Sequence, residues 1–158
     1  MTSVESPECP RVFTSEFFRE LVAHLGGDPR PIRSDWSWGI FARRYPDLRQ
    51  GMEDYFAEAS TGDPARAAYQ MVTYFHSPRE WAEGVIEHAQ VGDPAGAAVD
   101  MAYFHGSSPE WAKGIVERAQ TGDPAGAAYL MVCYYDLPAP WAEGIIERAQ
   151  TGDPASAA

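Results

Sequence analysis

The chain has 158 residues, 45% hydrophobic and 13% aromatic, enough to build the core of one domain and too much for global disorder. Twelve Lys and Arg against 23 Asp and Glu leave a net charge of −11, which argues against binding to nucleic-acid backbone or anionic lipid. No apolar run approaches the roughly 18 residues of a membrane span. The N-terminus lacks the basic and apolar stretches of a secretion signal, and Cys9 and Cys133 make no disulfide framework, so a reducing cytoplasm is the expected compartment.

Residues 1–12 are expected to be disordered. Glu16-Phe17-Phe18, Leu21-Val22 and His24-Leu25 then predict a lone helix over 14–26, which leads into Gly27-Asp28-Pro29 and caps the N-terminal side. Residues 30–61 read as a divergent helical hairpin, with Trp38, Phe41 and Tyr45 as the stripe of its first helix. Leu48, Met52, Tyr55, Phe56 and Ala59 mark the second. Large residues stand here where later units have alanine, as expected of a terminal unit that lacks a neighbour.

From residue 62 the chain repeats. Gly-Asp-Pro recurs at 62–64, 92–94, 122–124 and 152–154, and 13 of 30 positions are identical across 62–91, 92–121 and 122–151. Asp63, Asp93 and Asp123 are N-caps with proline at the next position, where it loses no hydrogen bond. Ala68, Met71, Val72 and Phe75 form the apolar stripe of the first helix. Ser77…Glu80 and Ser107…Glu110 predict capping boxes that open the second helix. Its apolar face is Trp81, Ala82, Val85, Ile86 and Ala89, and Gly92 is expected as its left-handed C-terminal residue. Trp81, Trp111 and Trp141 read as core. Gly84, Gly114 and Gly144 fall mid-helix, where glycine costs about 1 kcal/mol against alanine, so another helix backbone is expected to approach there. Residues 152–158 read as a truncated stub of a further unit.

One hairpin cannot bury its apolar faces, whereas stacked hairpins share a core. The predicted fold is therefore all-α, a right-handed α-α superhelix (solenoid) of about nine helices in a single domain over 13–158. Ala127-Ala128-Tyr129-Leu130-Met131-Val132-Cys133-Tyr134-Tyr135 is similar to the alanine, tyrosine, leucine, glycine, tyrosine pattern of Sel-like first helices. Arg148-Ala149-Gln150-Thr151-Gly152-Asp153 matches the alanine before their closing Gly-Asp. On these residues the chain resembles tetratricopeptide and Sel-like repeats over about 60–158. It departs from them in its shorter unit, in Val72, Ala102 or Val132 at the first-helix glycine, and in a tryptophan that opens the second helix. The resemblance implies a protein-interaction scaffold rather than an activity.

Equivalent positions in stacked hairpins lie about 8–10 Å apart, so each surface position becomes a ladder. Glu87, Glu117 and Glu147 make an acidic one, read either as a solvated face or as a surface for a basic partner. First helices line the concave side in related solenoids. Here they carry Arg66, Tyr69, Gln70 and Thr73, then Asp100 and Tyr103, then Tyr129, Leu130 and Cys133. Varied side chains on a regular frame suit a specific binding surface, and they also suit relaxed constraint. Arg30, Arg33, Arg43, Arg44 and Arg49, beside Trp36 and Trp38, form a basic segment that is either ordinary surface or an anion contact. His24, His76, His88 and His105 show no metal-ligand spacing, and no catalytic motif or cofactor loop is expected. Trp141, Ile145, Ile146 and Ala149 should lie open where a further hairpin would stack, which predicts self-association through the C-terminal hairpin.

These readings favour a non-catalytic interaction scaffold or adaptor. The first alternative is an acidic inhibitor or immunity protein that mimics nucleic acid or blocks a basic site. The second is a small-molecule binder or enzyme built on residues 30–49.

Overall fold

The computed structural model describes residues 14–151. Among them the secondary structure is entirely helical. Helices α1 (Ser15–His24), α2 (Trp38–Arg44), α3 (Arg49–Glu58), α4 (Pro64–Phe75), α5 (Arg79–His88), α6 (Pro94–His105), α7 (Pro109–Arg118), α8 (Pro124–Tyr135) and α9 (Ala139–Thr151) follow in order, with a short 3-10 turn at Pro46–Leu48. The segments 1–13 and 152–158, with the expected disorder and the stub, lie outside the described residues.

Helices α4, α6 and α8 start as the sequence dictates. Asp63, Asp93 and Asp123 each accept a hydrogen bond from the backbone N–H three residues on, with proline next in line. Asp63 and Asp93 have a second task. The Asp63 carboxylate also accepts from Asp93 N (3.2 Å), and Asp93 from Asp123 N (3.0 Å), so each cap is tied to the cap 30 residues later. This explains the glycine before each aspartate. Gly92 and Gly122 have φ of +80° and +79°, and a Cβ on Gly122 would lie 2.5 Å from the Asp93 Cα. Only glycine fits that turn and that approach.

Three local expectations are corrected. Gly92 does not cap α5, which ends at Ala89 in extended conformation. The left-handed caps close the first helices instead, at His76, Gly106 and Asp136. The capping boxes do not form either. Pro78 and Ser108 precede α5 and α7, while the buried Ser77 and Ser107 donate to Glu53 (2.7 Å) and Glu83 (2.6 Å), one hairpin back. Finally, no helix approaches the mid-helix glycines. A Cβ on Gly84 or Gly144 would meet nothing within 4 Å, and one on Gly114 would meet only the Arg118 side chain at 3.6 Å.

The core has two joined parts. Phe17, Phe18, Trp38, Phe41, Met52 and Phe56 pack with Met71 and Phe75 of α4, and Phe18 stacks on Phe41 with ring centroids 4.4 Å apart. The second part is alanine-rich, built on Ala68, Ala82, Ala98, Ala112, Ala128 and Ala142, with Met101, Met131, Ile115 and Ile145 filling the gaps. Alanine lets helices approach closely. Trp81 packs against both parts. Along the chain α4, α6 and α8 pack flank to flank, and α5 and α7 each contact their own partner and the next first helix. The three repeated tryptophans are half-buried rather than enclosed. Trp111 donates its indole N–H to Glu87 (2.9 Å), and Trp141 to Glu117 (2.7 Å).

Candidate functional site

The flank-to-flank packing of α4, α6 and α8 aligns their outward side chains. An aromatic run crosses all three helices. Tyr69 meets Phe104 at 6.4 Å between centroids, Phe104 meets Tyr103 at 4.8 Å, Tyr103 stacks on Tyr134 at 4.2 Å, and Tyr134 meets Tyr135 at 6.4 Å. Tyr103 is 53% exposed, Phe104 61%, and Tyr74 and Tyr134 42% each, so exposed aromatic rings gather on one face, the kind of patch that marks an interaction surface. Tyr129, on the same helix as Tyr134, is 62% exposed.

Most of the residues expected on this face are there, with different tasks. Arg66 reaches from α4 to the Asp100 carboxylate on α6 (2.5 Å) and lies 5.3 Å from the centre of the Tyr69 ring. Gly96 leaves it the room, since a Cβ there would stand 3.2 Å from the guanidinium. Thr73 donates to the Tyr69 carbonyl (3.0 Å), and its hydroxyl also lies within hydrogen-bond distance of Nε2 of His105 (3.0 Å). Burial holds the His105 pKa below its usual range and lifts the Tyr69 and Tyr135 phenols above theirs. Cys133 is exposed, and its hydrogen bond with Tyr129 raises that phenol too. Gln70 and Leu130 are half-buried beside the run.

Three exposed residues of the face escaped the sequence reading. Tyr74, Phe104 and Tyr134 occupy the same position of successive units, in the last turn of the first helix. The signal was there: an aromatic residue in all three units at a position off the core stripe.

The other candidate sites are altered by their neighbours. Glu87 and Glu117 are acceptors for tryptophan indoles, so two rungs of the acidic ladder tie hairpins together, while Glu147 is exposed. Of the five arginines proposed as an anion contact, three are engaged by carboxylates. Arg30 grips Asp28 (2.8 Å) and holds that carboxyl down at about 2, Arg33 pairs with Asp35 (3.5 Å), and Arg49 with the buried Glu53 (2.8 Å). Two of these carboxylates, Asp28 and Glu53, lie just outside the segment 30–49. Arg43 and Arg44 are exposed, and Arg43 lines a groove of about 470 Å³ with Gly39, Tyr74 and His76. The expected open patch on α9 is smaller than its sequence suggests. Ile145 is buried under α8, Trp141 and Ile146 are half-buried, and Ala149 is exposed. The cover comes from within the hairpin, so Ile145→Glu would test folding rather than association.

Among the described residues no group of His, Cys, Asp and Glu could hold a metal ion, and no helix is long and apolar enough to cross a membrane. The chain matches no family model, no curated protein and no solved structure.

Proposed function

We propose that this chain is a non-catalytic, cytoplasmic protein-interaction scaffold. In this reading the hairpins continue one another as a right-handed superhelix of 30-residue units, of the tetratricopeptide and Sel-like kind. The α4-α6-α8 face is the binding surface. The observation that carries the reading is the exposed aromatic run from Tyr69 to Tyr135. Its rings contact one another and leave large apolar areas to water, and aromatic side chains are the usual anchors of protein interfaces. The backbone beneath is held by caps that bond from unit to unit, so the rings are presented on a stiff support. Rigid presentation lowers the entropic cost of binding.

The test is selection of a random peptide library on the intact chain, with counter-selection on Tyr103→Ala/Phe104→Ala/Tyr134→Ala. These side chains lie outside the core, so the variant should keep its helical circular dichroism. Peptides that bind the parent and not the variant support the reading. A selection that yields no binders, or binders indifferent to the substitutions, sinks it.

A further inference from the structure

The charge around the aromatic run says what kind of partner it suits; this inference rests on the reading of that face as a protein-binding surface. Phe104 and Tyr134 lie in the last turns of α6 and α8, beside two helix C-termini, each equivalent to about half a negative charge. The last turns of α4 and α8 hold no basic side chain, and that of α6 holds only His105, which is occupied by Thr73. Arg66 is the single Lys or Arg on the three helices, and Asp100 neutralises it. The exposed Asp136 follows Tyr135 directly. At the other end, Arg43 lines the groove beside Tyr74, so positive charge gathers near α2 and negative charge near α8. Ring faces are themselves electronegative. The chain already places cations on rings elsewhere, Arg66 over Tyr69 and Lys113 over Trp141 at 5.7 Å.

We propose that the α6-α8 half of this face takes an arginine side chain from an extended segment of a partner protein, its guanidinium against the exposed side of the stacked Tyr103–Tyr134 pair and its charge balanced by Asp136 and the C-terminus of α8. Arginine is favoured over lysine because its planar, weakly hydrated group stacks on rings. The net charge of −11 attracts such a segment at long range, but it is the rings that set its place.

The experiment is fluorescence anisotropy on the full chain with labelled Gly/Ser peptides that carry arginine, lysine, or neutral citrulline at the same positions. An exposed cation-π contact is worth about two- to fivefold in affinity. With the counter-charge added, the arginine peptide should bind about three- to twenty-fivefold more tightly than the citrulline peptide, with lysine between. Tyr103→Leu/Tyr134→Leu keeps apolar bulk and removes the rings, and it should cancel that preference. Asp136→Asn should weaken arginine binding a few-fold, and Glu143→Gln on α9 should leave it unchanged. Equal binding of arginine and citrulline overturns the proposal, as does a loss with Glu143→Gln equal to that with the double leucine variant. A dimer in sedimentation that Tyr134→Leu dissolves also overturns it, because the occupant is then a second copy. If library-selected peptides bind through the run without preferring arginine, the scaffold reading survives and this inference falls. If no peptide binds, both fall.

Discussion

Substituting Asp93 by alanine tests whether the caps tie neighbouring units together. The Asp93 carboxylate accepts from Gly96 N (3.1 Å) at the start of α6 and from Asp123 N (3.0 Å) at the start of α8. Loss of a cap costs about 1 kcal/mol. Loss of the second hydrogen bond costs about 1 kcal/mol more, reduced where water replaces it. Asp93→Ala should therefore destabilise the chain by about 2 kcal/mol, a fall in Tm of about 4–8 °C for a chain of this size. Asp123→Ala is the internal control. Among the described residues Asp123 caps only its own helix (Gly126 N, 2.9 Å), so its loss should cost about half as much. Asp93→Asn retains the accepting oxygen and should stay within about 0.5 kcal/mol of the parent. Thermal and urea unfolding followed by circular dichroism give all three. If Asp93→Ala proves no worse than Asp123→Ala, the bond between units contributes nothing and the reasoning is refuted.

Gly144→Ala should stabilise the chain by about 1 kcal/mol, because the glycine is mid-helix and a Cβ there meets nothing within 4 Å; destabilisation in the same melts would reveal a contact that the structure lacks. Trp111→Phe should cost about 1 kcal/mol by removing the indole bond to Glu87, whereas Trp111→Ala, which also loses the half-buried ring's packing, should cost about 2–3 kcal/mol, and unfolding of the two side by side separates bond from packing. His105 gives a pH dependence of known sign. Its pKa in the folded chain lies below the usual 6.5, so the unfolded chain takes up the proton first. Its contribution is complete above 6.5 and declines as the pH falls through that value toward the lower folded one. A Tm that drops between pH 7.5 and pH 5 should drop less in His105→Asn, and identical profiles would contradict the assignment.

The helices were legible because their signals are local. Gly-Asp-Pro marks each first helix, and the 3.6-residue stripe marks its buried face, as Ala68, Met71 and Phe75 illustrate. The errors fall where the deciding partner is distant in sequence. Ser77 and Ser107 look like caps to a reader of neighbouring residues, yet their acceptors lie 24 positions earlier, in Glu53 and Glu83. Glu87 and Glu117 look like free surface charge until the indole 24 positions later is seen beside them. The candidate face was half legible. Tyr69, Tyr103 and Tyr129 stood out because their positions vary between units, whereas Tyr74, Phe104 and Tyr134 hid beside the core stripe as if they belonged to it.

The repetition itself separates frame from face. Where a position bonds to the neighbouring unit, its residue either stays fixed or changes together with its partner. The aspartate caps and the glutamate–tryptophan pairs stay fixed. The serine–glutamate pair changes as a pair: Ser77 with Glu53 and Ser107 with Glu83 give way to Leu137 with Lys113, and Lys113 turns to Glu117 (3.4 Å) and to the Trp141 ring instead. The mid-helix glycines are fixed, and nothing in the structure explains them. The position of Tyr74, Phe104 and Tyr134 belongs to neither group. It stays aromatic in every unit, contributes nothing to the caps or to the inter-unit hydrogen bonds, and stands about half exposed each time. A frame position would be buried or bonded, and a neutral surface position would drift to polar residues. A kept, exposed aromatic ring is what an anchor for a partner requires, and that is why the α4-α6-α8 face, rather than the acidic one, carries the functional reading.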